Sequence, residues 1–231
     1  VLLFIYAAAF SFAYLNLTAG MGGLILFGSV QFAMIGIGIA KGERPSLLEW
    51  AGLIVALGGL VVLVAPGLHS PPPLAALLMV AAGAAWGVYS LRGREAKDSM
   101  LATGDNFLKA VPFALVLAVC AYSHAHAMPR GVVLAVISGA VTSGLGYVLW
   151  YSVLPSHTAT RAAICQLAVP ALVALMGVLV LSEQIHLRFV IASTMMLSGV
   201  AMAVLRRKRR AMPSGKAGGT IHIDGPEIER I

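Results

Sequence analysis

Eight apolar runs, each close to the length a helix needs to cross a bilayer, follow one another through the first 205 residues. They cover roughly 2–17, 20–40, 47–65, 74–91, 107–123, 131–152, 159–181 and 187–205. About 20 apolar residues span the ~30 Å hydrocarbon layer as a helix. In lipid the backbone can satisfy its own polar groups only as a helix or a closed barrel. No stretch alternates apolar and polar residues at period two, so a barrel has no support. The chain therefore reads as an all-α integral membrane protein, a polytopic bundle of about eight transmembrane helices. Composition agrees: 59% of residues are hydrophobic and 11% charged, against about 25% charged in soluble domains.

The breaks between runs carry the charge. Lys41, Arg44, Arg92, Arg94, Lys97, Arg161 and seven basic residues from Arg206 to Arg230 fall on one side, against Arg130 and Arg188 on the other. Basic residues accumulate on the cytoplasmic face, which predicts a multi-pass protein of the cell membrane, the bacterial inner membrane, with both termini in the cytoplasm. The run Arg206–Arg210 follows an apolar segment directly and reads as a headgroup anchor. No nucleic-acid fold or aromatic interleaving accompanies it, so nucleic acid is set aside as a partner. Residues 208–231 read as a disordered basic cytoplasmic tail, and 1–207 as the transmembrane bundle.

Setting residue i against i+140 pairs Thr18-Ala19 with Thr158-Ala159, Glu43 with Glu183, Leu57 with Leu197 and Gly59 with Gly199. The same order recurs in both copies: a span, a Thr-Ala hinge, a span ending near Glu, then a third span. The second copy, 74–207, carries two further spans in front, making five, whereas the first, 1–66, carries none. An odd number of spans inverts successive copies, the arrangement of many secondary transporters. The expectation is two inverted five-helix repeats, the first incomplete by two helices ahead of Val1.

The ordered set Lys41-Gly42-Glu43-Arg44, Trp86-Gly87-Val88-Tyr89-Ser90, Gly146-Tyr147-Val148-Leu149-Trp150-Tyr151 and Ala159-Thr160-Arg161-Ala162 resembles the EamA-type transporters of the drug/metabolite transporter superfamily. The resemblance covers residues 1 to about 207 and implies ten helices in two inverted repeats and the transport of small organic metabolites. Two departures stand out. Ser182-Glu183 replaces a Gly-Glu pair, and Val30-Gln31 stands where a proline is common.

All nine acidic residues lie in breaks, at span ends or in the tail, which disfavours proton coupling through a carboxylate at mid-depth. The polar residues within spans are neutral. An amide facing lipid is left unsatisfied at a cost of several kcal/mol, so Gln31 and Gln166 must face the interior, as ligand contacts or as interhelical hydrogen-bonding groups. Ser143, Tyr147 and Tyr151 share one helical face with Ala140 and Gly144, and Gln166 and Pro170 share another with Ala162. Together with Gln31, Trp86 and Tyr89 they form the expected cavity wall. Trp150 reads as an interfacial aromatic. Gly38-xxx-Gly42 and Gly83-xxx-Gly87 read as sites of close helix approach. Glu43, Arg161 and Glu183 sit at span ends, as helix-orienting or gating groups.

These features, with the substrate class that the resemblance implies, predict a secondary transporter, an exporter, of small organic metabolites or amino-acid-like compounds working by alternating access. Lipid and the small-molecule substrate are its expected partners. The other reading is a truncated, transport-inactive or partner-dependent bundle, whose open flank a second copy would cover as a homodimer. No HExxH, GxSxG or P-loop pattern occurs, and Cys120 and Cys165 lack metal spacing. No enzyme activity, catalytic residue, metal or cofactor is expected.

Overall fold

The computed structural model describes residues 1–65, 71–122, 128–181 and 186–205, the side chains of 174, 177, 178, 180 and 181 apart. Its elements are α1 (Leu2–Ala13), α2 (Ala19–Ala40), α3 (Leu47–Val64), α4 (Pro73–Gly93), α5 (Ser99–Cys120), α6 (Pro129–Ser156), α7 (Ala159–Gln166), α8 (Ala168–Leu181) and α9 (Leu187–Val204). Six of these helices are long and apolar enough to cross a membrane, and the shorter α1 and the α7–α8 segment are apolar too. With α7 and α8 forming one broken crossing, the described residues make the expected eight passes.

Local chemistry sets where the helices start and stop. Thr18 and Thr158, equivalent across the 140-residue offset, cap α2 and α7 by accepting from Met21 N–H at 3.3 Å and Arg161 N–H at 3.2 Å. A threonine hydroxyl at this position satisfies one of the helix's free amides. Ser46 and Glu49 form a reciprocal capping box at the start of α3. The helix α5 begins at Ser99, eight residues before the expected apolar run. Asp98 caps it, accepting from Leu101 N–H at 2.9 Å, and Asp105 pairs with Lys109 one turn on. Hydropathy alone misses this polar lead.

The helix α6 departs from regular winding. Residues Ile137–Leu145 form a π-helix, in which each amide reaches the carbonyl five residues back. The wider turn shifts the angular register: the less exposed face of Tyr151 and Tyr147 continues through Ser143 and Gly144, but then passes to Gly139 in place of the expected Ala140. Pro129–Leu145 buries no residue and would meet lipid.

Packing follows small residues. Lipid is as apolar as leucine, so helices associate where backbones come close. A Cβ on Gly59 would lie 2.7 Å from the Ala192 carbonyl and 2.9 Å from Met196, and one on Gly199 would strike the Gly52 carbonyl and Ala56. Ala192 and Met196 are the i+140 counterparts of Gly52 and Ala56. The contact is therefore two-fold symmetric, and rising numbers on α3 meet falling numbers on α9. Antiparallel pairing of equivalent helices is what inverted repeats require. Gly83 and Gly87 pack α4 against Ser29, Leu26 and Ala33 of α2. Gly42 has another role than the expected close approach. A Cβ there would meet nothing within 4 Å, and its φ is +89°; it ends α2 with a left-handed turn that glycine adopts without a Cβ penalty.

Candidate functional site

That turn positions the first element of the site. Gly42 N–H donates to the Ile39 carbonyl and Glu43 N–H to the Gly38 carbonyl, both at 2.9 Å, the paired bonds of a Schellman end. Glu43 accepts from Arg94 Nη1 at 3.0 Å and from the Ala159 and Thr160 amides at 2.9 and 3.4 Å. A carboxylate there neutralises the positive end of α7. Glu49 uses one oxygen in its capping box and accepts from Arg161 Nε with the other at 2.7 Å. Both carboxylates belong to the first copy and both arginines to the second. A Cβ on Gly38 would lie 2.9 Å from that of Ala159, so the two copies also touch directly. This end of the bundle is closed between the copies, with clefts of about 300 and 270 Å³ left beside the two ion pairs.

The opposite end holds a cavity of about 680 Å³, between α1, α2, α3, α8 and the start of α9. Tyr6, Phe10 and Tyr14 form an aromatic ladder along one wall, with ring centroids 5.6 and 4.7 Å apart. Leu26, Phe27, Leu60, Leu63, Val169 and Pro170 line the rest, and Arg188 stands among the residues at its mouth.

A polar layer separates cavity and closed end. One turn below Phe27, Gln31 donates from Nε2 to the Ala163 carbonyl at 2.8 Å. One turn below Pro170, Gln166 accepts from Trp86 Nε1 and donates to Met34 Sδ. Gln31 and Gln166 are 3% and 6% exposed, facing inward as lipid exclusion demands. The helix breaks here, because Leu167 N–H turns to the Ile164 carbonyl, and Pro170 has no N–H to offer the Gln166 carbonyl.

Trp86 joins this layer to the second aromatic group. Its ring centroid lies 4.9 Å from Tyr6, 5.0 Å from Tyr147 and 5.4 Å from Tyr89. Tyr89 in turn lies 5.0 Å from Tyr151, the rings tilted by 36°. The buried Tyr151 hydroxyl donates to the Tyr89 carbonyl at 3.1 Å, and Asn106 donates to it at 3.4 Å. Trp150 turns inward instead of toward headgroups, donating to the buried Ser90 hydroxyl at 3.1 Å.

The expected cavity residues thus fall into three places. Gln31, Trp86, Gln166 and Pro170 are at or under the cavity floor, Tyr89, Tyr147 and Tyr151 back up Trp86, and Ser143 lies half-exposed on the π-helical stretch. Glu43 and Arg161 are both in the closure, and Glu183 lies outside the described residues. Sequence reasoning missed Tyr6, Phe10, Tyr14 and Arg188 on the cavity, and Glu49 and Arg94 in the closure. The Ser46-x-x-Glu49 spacing could have flagged Glu49 as a capping residue; nothing local pointed to Arg94. Among the described residues, no group of three or more His, Cys, Asp or Glu side chains could hold a metal ion.

The sequence pattern of the EamA-like transporter family matches residues 73–205. The chain belongs to the EamA-like transporter family. An uncharacterized protein of Pseudomonas aeruginosa is 44% identical over 213 residues, 92% of this chain and 74% of that protein. That alignment also takes in the first copy, which the family pattern does not reach. A solved crystal structure matches with a TM-score of 0.73 at 21% identity, over 88% of this chain and 73% of that one. This EamA-like chain is a multi-pass membrane transporter of the drug/metabolite type.

Proposed function

We propose that the protein exports small organic metabolites, amino-acid-like compounds among them, by alternating access between its two inverted copies. One observation carries the reading: the copies are tied by Glu43–Arg94 and Glu49–Arg161 at one end while a cavity stands open at the other. A carrier held in one of its two access states has this form. The closed end carries Lys41, Arg44, Arg92, Arg94 and Arg161, so the positive-inside rule puts it, and both termini, in the cytoplasm of the cell-membrane form.

In this scheme the apolar and aromatic walls accept the body of the substrate. Gln166 and Trp86 form the floor that must part when access alternates, and Gln31 holds the second copy's broken helix beside it. Tyr89, Tyr147 and Tyr151 keep the Trp86 ring in place, with Ser143 one turn before Tyr147. Pro170 provides the break about which α8 moves relative to α7. Glu43 and Arg161 act as gate residues. The test is efflux of labelled amino acids and aromatic metabolites from proteoliposomes. Gln166→Ala lowers the flux at an unchanged amount of protein in the membrane. Equal flux in the variant and the parent removes Gln166 from the site.

A further inference from the structure

The mouth of the cavity has a sign. Arg188, the second residue of α9, is the only formal charge among the described residues that line it. Backbone dipoles do not cancel it. The helices α2 and α9 present their N-termini to this end, and α1, α3 and α8 their C-termini, so partial charges of about half a unit each leave about half a negative unit against the full charge of the guanidinium. Among the described residues, what remains is one guanidinium at membrane-edge depth above an apolar well.

The well has a size. From Gly20 at the rim to Phe27 near the floor is seven helical steps on α2, about 10 Å at 1.5 Å per residue. That depth and the volume of about 680 Å³ suit a body of two fused rings or a medium acyl chain. Phe10 and Phe27 offer ring faces and Leu63 an aliphatic one, while the polar Gln31–Gln166 layer lies a turn deeper.

We propose that Arg188 selects the substrate by charge, and that the cavity takes an amphiphilic organic anion, its apolar body in the well and its carboxylate or phosphate at the guanidinium. This rests on the cavity's being the transport site. Arginine suits the role because its planar fork binds such groups through two parallel N–H bonds and stays charged at any working pH.

The experiment uses the full chain in phosphatidylcholine nanodiscs, with Cys120 and Cys165 replaced by alanine and Gly23→Cys introduced. Gly23 lines the cavity, and a Cβ there meets nothing within 4 Å. Alkylation of that thiol by N-ethylmaleimide is followed with naphthylacetate, naphthylethanol or naphthylethylammonium present, compared at equal membrane-bound concentration. The expected result is protection by the anion at about fivefold lower concentration than by the alcohol, the yield of a partly exposed ion pair, with the cation weakest. Arg188→Gln removes the preference and leaves protection by the alcohol unchanged; Arg188→Lys keeps part of it. Equal protection by anion and alcohol, or an anion preference that survives Arg188→Gln, overturns the selection by Arg188 and leaves the cavity standing. Protection by none of the three probes overturns the cavity as the transport site, and this inference with it.

Discussion

Replacing Glu43 by glutamine should open the closed end without emptying it of hydrogen bonds. The amide keeps one oxygen to accept from the Ala159 N–H but loses the charge that faces Arg94 and the start of α7. A hydrogen bond to a charged group contributes about 1.5–3 kcal/mol and a neutral one about 0.5–1.5, and a charge at a helix N-terminus adds about 0.3–1. The Arg94 and Glu43 side chains are 28% and 20% exposed, so solvent screening trims the difference to about 1.4 kcal/mol, a tenfold shift between closed and open states. The reporter is Leu91→Cys, a position 6% exposed beside Glu43 and Arg94, in a background without other cysteines. Its alkylation rate by a membrane-impermeant thiol reagent follows the open fraction when opening is fast, and should rise about tenfold with Glu43→Gln. Lys41→Gln is the control. It breaks a pair whose partners are 64% and 73% exposed, and should change the rate less than threefold. Equal labelling in Glu43→Gln and the parent, or an equal rise in the control, would refute the closure as an energetic lock.

Three further outcomes follow from the packing. Gly199→Ala drives a methyl into the Gly52 carbonyl and should cost about 1–3 kcal/mol, seen as a lower Tm in detergent; Gly36→Ala, with nothing within 4 Å, should leave Tm unchanged or raise it through helix propensity. Tyr151→Phe removes the bond to the Tyr89 carbonyl and should cost about 0.5–1.5 kcal/mol, with faster hydrogen exchange near Asn106. Pro170→Ala restores a backbone donor to the broken helix and should raise Tm while slowing flux in proteoliposomes; a faster flux would argue against a hinge at this break.

Much of the fold is written in the chain because lipid enforces it. Any apolar run of sufficient length must be a helix, so the eight passes follow from hydropathy, and the Thr-Ala hinges at 18 and 158 follow from capping chemistry. The inward-facing glutamines follow from the cost of a bare amide in hydrocarbon. These are local or single-residue constraints, legible without knowing any neighbour. The identity of their partners is not. That Gln166 meets Trp86 and that Gln31 holds Ala163 depends on which helices are adjacent, and sequence distance says nothing of it.

The same limit explains the residues overlooked. Tyr6, Phe10 and Tyr14 look like ordinary apolar-span aromatics until α3 and α8 are set across from them. Arg188 looks like a lone charge after a hinge until a cavity opens beside it. Glu43 was visible as a span-end acid, but its grip on the second copy depends on the left-handed Gly42 and on α7 standing opposite. The sequence alone determined a helical, doubled, membrane-spanning chain, since solvent and backbone geometry act on each segment separately. Only the tertiary structure decided which end is shut and which end carries the cavity, because both are properties of pairs of helices brought together from different copies.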